Sequence, residues 1–174
     1  MYEIVGDLFS CEKADAICIT TNGYVNKQGA LTMGKGCAGE AKYRWPGIQI
    51  LAGGMVESNG NKVFLLTDTK DGKISLPARL GWPYVEVPYH ILTFPTKHHW
   101  KDPSSLDLIT QSCQQLVELT DAHGFESVVI PRPGCGLGQL SWDEVRPICQ
   151  DILYDERFWI ITFESARPET EKEN

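Results

Sequence analysis

Short apolar segments recur along the chain at Tyr2–Val5, Ala14–Thr21, Lys62–Thr67, Tyr89–Phe94, Phe125–Ile130 and Phe158–Phe163. Runs this short, with little polar alternation, predict strands buried on both faces. Elsewhere the apolar positions shift to a helical period. Leu106, Ile109, Cys113, Leu116 and Val117 predict a helix opened by Asp102 as N-cap and Pro103 at the first helical position, and closed at Gly124. Another helix is predicted from Met33–Ala38 through Arg44, ended by Pro46-Gly47. A third follows Ser141, where Ser141-x-x-Glu144 has the form of a capping box. Pro147 falls near its sixth position, where the missing N–H and the ring predict a bend or a delayed start.

The intervening stretches are loops. Asn22-Gly23 is a turn pair leading into an aperiodic polar run to Thr32. The Gly-, Pro- and aromatic-rich stretch at about 68–88 reads as an insertion loop with at most a short edge strand at Ile74–Pro77. Residues 164–174 are polar and charged and predict a disordered tail. Strands alternating with helices predict an α/β fold with three α/β/α layers and a mixed, mainly parallel central sheet, with ligands at the C-terminal strand ends. A length of 174 residues fits one domain, spanning 1–163.

Composition narrows the function class. With 42% hydrophobic and 22% charged residues it is that of an ordinary globular chain, and no stretch reaches the roughly 20 apolar residues of a membrane span. The first residues lack the basic and apolar regions of a signal peptide, so a cytoplasmic location is expected. Six cysteines form no C-x-x-C pair, and the four histidines are scattered or adjacent, so neither a disulfide framework nor a metal or cofactor is expected. A net charge of −7 argues against broad, sequence-independent nucleic-acid binding. It leaves room for a phosphate held locally by backbone donors. No helix pattern shows a spare apolar face, so a monomer is expected, with no membrane partner.

Two glycine loops carry the candidate chemistry. Pro131–Trp142 contains Gly134, Gly136 and Gly138, lies between a predicted strand and a predicted helix, and matches neither the Walker nor the dinucleotide pattern. Three missing Cβ atoms open the backbone N–H groups to an anion, and a helix terminus adds partial positive charge. On these grounds alone, a phosphate cradle and a tight ligand-free turn stand about even. The second loop, Met33-Gly34-Lys35-Gly36-Cys37-Ala38, also follows a strand.

Gly6-Asp7-Leu8-Phe9, Asn22, Met33–Ala38, Phe94–Trp100 and Pro131–Trp142, in this order, resemble the macrodomains that bind ADP-ribose. The resemblance extends from about Tyr2 to Phe163. It is nearest the branch containing the terminal ADP-ribose protein glycohydrolase and the antitoxin macrodomain that reverses DNA ADP-ribosylation. It implies that ADP-ribose, free or attached to a modified nucleic acid or protein, is the partner. By matching position, it implies that Asp7 accepts from the adenine amino group, with Leu8 beside it, and that Asn22 lies near the distal ribose. It further implies that Met33, Gly34, Lys35, Gly36 and Cys37 form the first loop, and Gly134, Cys135, Gly136, Leu137 and Gly138 the diphosphate loop. Phe163 would pack on the adenine. Lys97, after Thr96 at a strand end, matches the lysine that the de-ADP-ribosylating members use near the anomeric carbon, where an amine can form a Schiff base with an opened ribose. His98 and His99 would tune that lysine or shuttle protons. Gly138 stands where the protein glycohydrolase carries its catalytic aspartate. The implied activity is hydrolysis of ADP-ribose from a DNA base or an acidic protein side chain, with a non-catalytic ADP-ribose reader or an ADP-ribose 1″-phosphate phosphatase as alternatives.

Overall fold

The computed structural model describes residues 1–77 and 84–163. The predicted tail at 164–174 and part of the predicted insertion lie outside these residues. In chain order the elements are β1 (Tyr2–Val5), a single 3-10 turn (Leu8–Ser10), β2 (Ala16–Thr21), α1 (Gly36–Arg44), α2 (Ile48–Asn59), β3 (Asp68–Lys70), β4 (Lys73–Leu76), β5 (Val85–Glu86), β6 (His90–Pro95), α3 (Leu106–His123), β7 (Val128–Pro131), α4 (Trp142–Ile152) and β8 (Phe158–Thr162).

The main sheet has the order β1-β8-β7-β2-β6, and all four pairings are parallel. Side-chain alternation divides it between two cores. Ile17, Ile19, Ile91, Val129 and Ile161 pack with Ala38, Ala41, Ile48, Leu51 and Ala52 from α1 and α2. Ala16, Cys18, Leu92, Phe94, Val128, Ile130, Phe158 and Ile160 pack with Ile109, Cys113, Leu116, Val145 and Cys149 from α3 and α4. Helices therefore cover both faces, which explains why the strands read as continuous apolar runs.

Residues 62–67 depart from expectation, since they form no regular strand. Leu65 makes an isolated antiparallel bridge to Leu92, and Leu66 N–H donates to the Ile91 carbonyl at 2.8 Å. Side chains interrupt the ladder: Val63 N–H donates to Gln115 Oε1 and Phe64 N–H to Thr93 Oγ1. This partial, antiparallel pairing is what makes the sheet mixed.

The α2 helix is not evident from the sequence because Gly53-Gly54 lies mid-helix, where each glycine costs about 1 kcal/mol relative to alanine. Gly53 is needed for packing, since a Cβ there would lie 2.1 Å from the Gly29 carbonyl oxygen in the loop after β2. Within the predicted insertion, Asp71 (φ 53°) and Gly72 (φ 75°) form a two-residue turn between antiparallel β3 and β4, so this region holds a small three-stranded sheet. The α3 helix starts later than Asp102-Pro103 predicts. Ser105 caps it by accepting from Leu108 N–H, while Ser105 N–H donates to the Thr96 carbonyl and Ser104 N–H to that of Gly138. Those two bonds draw 96–105 sideways across the strand ends. The α4 helix begins directly at Trp142 and continues through Pro147 as one element, so the predicted delay does not occur.

Candidate functional site

Because the five strands of the main sheet are parallel, their C-terminal ends open on one edge, and the loops leaving them enclose a cleft of about 1170 Å³. Asp7, Leu8 and Phe9 follow β1, Thr21 ends β2 and Asn22 follows it, Thr96, Lys97, Trp100 and Lys101 follow β6, Gly134 and Gly136 to Gln139 follow β7, and Phe163 follows β8. Gly34, Lys35, Gly36 and Cys37 close the cleft from the start of α1. Of the residues implied by the resemblance, Met33, His98, His99 and Cys135 are not on this wall. Met33 is buried in the core beneath the loop, and Cys135 packs toward the α3–α4 side with its thiol donating to the Pro133 carbonyl at 3.4 Å.

The two loops offer backbone donors, but not both through a helix terminus. Ser141 and Glu144 form the reciprocal capping box of α4, and Glu144 accepts from both Ser141 N–H and Ser141 Oγ. Those bonds hold the exposed Glu144 carboxyl below its usual range. An anion would thus meet an occupied, acidic terminus at α4. The α1 helix is the contrasting case: its N-cap, Lys35, makes no side-chain cap bond, and Gly36, Cys37 and Ala38 line the cleft. In the second loop, Gln139 N–H donates to the Gly136 carbonyl and Leu140 N–H to that of Gly134, closing a turn. Among the described residues, the N–H groups of Gly136, Leu137 and Gly138 donate to no protein acceptor. The backbone donors left open to an anion are therefore those of the bare second loop and of the α1 terminus, which has no side-chain cap.

Glycine is a packing requirement at Gly134 and Gly138. Gly134 has φ 73°, and a Cβ at Gly138 would lie 2.2 Å from Ser104 Oγ and 2.4 Å from the Gly134 carbonyl oxygen. The loop is folded too tightly on itself to carry a side chain at 138.

Lys97 reaches across the cleft, its Nζ donating to the Leu137 carbonyl at 3.0 Å. Its own carbonyl accepts from Asn61 Nδ2 at 2.9 Å, and the His98 carbonyl accepts from Gly23 N–H at 3.1 Å. Asn61 is a positioning residue that sequence reading missed, since nothing local marks it. Past Lys97 the chain becomes aromatic, and of these rings Trp100 lines the cleft. Tyr24 meets His99 edge-on at 4.5 Å, His99 stacks on Trp100 at 5.6 Å, and Lys101 Nζ lies 5.1 Å from the Trp100 ring centroid.

Asp7 caps the 3-10 turn, accepting from Phe9 N–H at 3.1 Å and Ser10 Oγ at 2.9 Å while bordering the cleft. Each carboxylate oxygen retains a lone pair for a ligand donor. Asn22 is braced at both ends, donating to the Thr32 carbonyl at 2.7 Å and accepting from Tyr24 N–H at 2.9 Å. Thr20 N–H donates to Cys37 Sγ at 3.3 Å, and burial pushes the Cys37 thiol up. Burial likewise pushes Cys135 up, to about 11, with Cys149 adding to the shift. Neither thiol is poised as a thiolate nucleophile. Arg44, which the sequence does not mark, lies with its guanidinium 4.7 Å from the ring centroid of Phe9, on the wall beside Asp7. Phe163 stands 72% exposed at the rim and contributes little to the core.

A parallel sheet covered on both faces, with two glycine loops at its C-terminal edge, defines an α/β phosphate-binding class. The chain belongs to the macrodomain family: the Macro domain model matches residues 83–149, and solved macrodomains superpose on nearly the whole chain. The macrodomain of Mycobacterium tuberculosis DarG is 27% identical and superposes with a TM-score of 0.66, covering 91% of this chain and 97% of that one. Thermosipho africanus DarTG in complex with ADP-ribose is 26% identical with a TM-score of 0.72, covering 97% of this chain and 43% of that one. A curated relative from Thermosipho africanus, a DNA ADP-ribosyl transferase–DNA ADP-ribosyl glycohydrolase fusion protein, is 32% identical over 128 residues, 67% of this chain and 31% of the relative. The chain spans about a third or less of the length of the first curated relatives it matches.

Proposed function

We propose that the cleft binds ADP-ribose and that the protein hydrolytically releases it from a modified macromolecule, with an ADP-ribosylated DNA base as the favoured substrate and Lys97 acting at the bond cleaved. The observation that carries this reading is convergence: Asp7, the uncapped start of α1, the unpaired second-loop N–H groups and Lys97 all face one cleft. Its volume is ample for a dinucleotide-sized ligand, since typical ligand pockets span roughly 300–1,000 Å³. A diphosphate fits between Gly136–Gly138 and α1, and an adenine between Asp7 and Phe163. The distal ribose then falls beside Lys97. Relatives named for DNA ADP-ribosyl glycohydrolase activity support the DNA substrate. So does Gly138, where the aspartate of the protein glycohydrolase has no room.

In this reading Lys97 leaves the Leu137 carbonyl when ligand enters. Its neutral amine adds to C1 of the ring-opened distal ribose, and the linked base departs with a proton. Water then adds to the imine carbon, the amine is expelled, and free ADP-ribose remains. The test compares wild type with Lys97→Met on ADP-ribosylated DNA, with calorimetry on free ADP-ribose alongside. The expected result is loss of at least about a hundredfold in release, the scale of a lost reacting group, with ADP-ribose still bound. Unchanged release in Lys97→Met refutes the role of the lysine, and absence of ADP-ribose binding refutes the pocket.

A further inference from the structure

We infer that Tyr24, His99, Trp100 and Lys101 form a subsite for the nucleotide next to the modified base, in which that neighbouring base stacks on Trp100 and its phosphate meets Lys101. The inference rests on the function proposed above and extends it from the ADP-ribosyl group to the strand that carries it.

The geometry begins where the cleft ends. Lys97 and Trp100 belong to one short segment leaving β6, and Trp100 and Lys101 both line the cleft. In this reading a group linked to the sugar at Lys97 leaves the cleft past this segment. The rings beside that path are solvent-exposed, with Trp100 47% and Tyr24 41% exposed. They are also ordered: Tyr24 abuts His99 at 64°, and His99 lies within 26° of the Trp100 plane. Two backbone bonds fix the row, from Gly23 N–H to the His98 carbonyl and from Asp102 N–H to that of His99. Lys101 N–H in addition donates to His99 Nδ1 at 3.1 Å, which sets the ring.

Pre-set aromatic faces beside a lysine are the elements by which proteins hold single-stranded nucleic acid. Lys101 now rests on the Trp100 ring, an exposed cation–π contact weaker than base stacking, so an arriving base displaces it toward the phosphate. Within the segment 97–102, Lys97 and Lys101 contribute two cations against the one carboxylate of Asp102. The patch is thus locally basic in a chain of net charge −7, and this suits a short contact of one or two nucleotides.

The test uses a single-stranded pentanucleotide whose central base is ADP-ribosylated, the corresponding single modified nucleotide, and an ADP-ribosylated peptide. ADP-ribose release is followed at initial rate. Should none occur, the same probes report Kd by fluorescence anisotropy, so loss of hydrolysis overturns the function proposed above without deciding this inference. The expected result is that Trp100→Ala raises KM or Kd for the pentanucleotide about tenfold more than for the single nucleotide, the scale of one base stacked on one ring. Trp100→Phe restores most of the difference, and Lys101→Glu reduces the salt dependence of pentanucleotide binding. An equal pentanucleotide-to-nucleotide ratio in wild type and Trp100→Ala overturns the inference. A loss on the peptide as large as on the pentanucleotide overturns it as well, assigning the ring to a protein substrate.

Discussion

Replacing Gly138 by alanine adds one methyl group to the most constrained point of the second loop. The new Cβ would lie 2.2 Å from Ser104 Oγ, 2.4 Å from the Gly134 carbonyl oxygen and 2.7 Å from Gly134 Cα. A hydroxyl can rotate away, but the Gly134 backbone belongs to the same loop and can yield only if the loop opens by about 1 Å to reach ordinary contact distance. Overpacking of this kind costs about 1–3 kcal/mol, which for a chain of this length lowers Tm by about 2–12 °C. The same shift carries the Gly136–Gly138 N–H groups beyond the 2.7–3.2 Å range of a hydrogen bond to a phosphate fixed by α1. Losing one charge-assisted bond weakens binding by about 1.5–3 kcal/mol, roughly ten- to a hundredfold in Kd. Calorimetric unfolding and ADP-ribose titration measure the two effects on the same sample. Adding Ser104→Gly removes the contact at 2.2 Å and leaves those to Gly134, so the double variant recovers only part of the loss. Gly138→Asp meets the same backbone and gains no hydrolysis from its carboxylate. A Gly138→Ala protein with wild-type Tm and ADP-ribose affinity would show that the loop is not held by this contact, and the steric argument against an aspartate there would fail.

Two further outcomes are expected. Asp7→Ala removes the cap of the 3-10 turn and the acceptor offered to a ligand donor, lowering stability by about 0.5–2 kcal/mol and weakening ADP-ribose more than a ligand lacking the adenine amino group; equal weakening of both ligands would confine Asp7 to capping. Arg157 bonds Asp155 at 2.8 Å and Asp121 at 2.7 Å, and its hydrogen bonds to Asp155 hold that carboxyl below its usual range. A depressed carboxylate contributes stability above its unfolded value, near 4, and loses it as pH falls through the lower folded value. Urea unfolding of Arg157→Met should therefore show a deficit of no more than about 1 kcal/mol, steady from about pH 5 to 8 and closing in more acid solution, because the pair is partly exposed. A deficit that widens toward acid pH contradicts this sign.

Much of the fold was legible because local signals agreed with global demands. Continuous apolar runs marked the strands because helices cover both faces of the sheet, and Ser141-x-x-Glu144 marked the start of α4 because both halves of that cap lie within one turn. The misreadings have a common physical origin in partners distant along the chain. The mid-helix glycines of α2 serve a contact with Gly29, and the start of α3 is set by bonds to Thr96 and Gly138. Residues 62–67 lose a regular ladder to the side chains of Gln115 and Thr93.

At the site, the amino-acid order by itself singled out the candidate residues that the cleft brings together, namely the two glycine loops, Asp7 and Lys97, since residue type and succession along the chain carry that information. Only the tertiary structure decided their relations. It showed that the start of α4 is occupied by its own cap while α1 has no side-chain cap, that Met33 and Cys135 stand off the wall, and that Lys97 rests on the Leu137 carbonyl. It also placed Asn61 behind Lys97 and set Tyr24 in line with Trp100. These relations join residues from separate strand ends. They exist only once parallel pairing has brought those ends to a single edge, which no local pattern encodes.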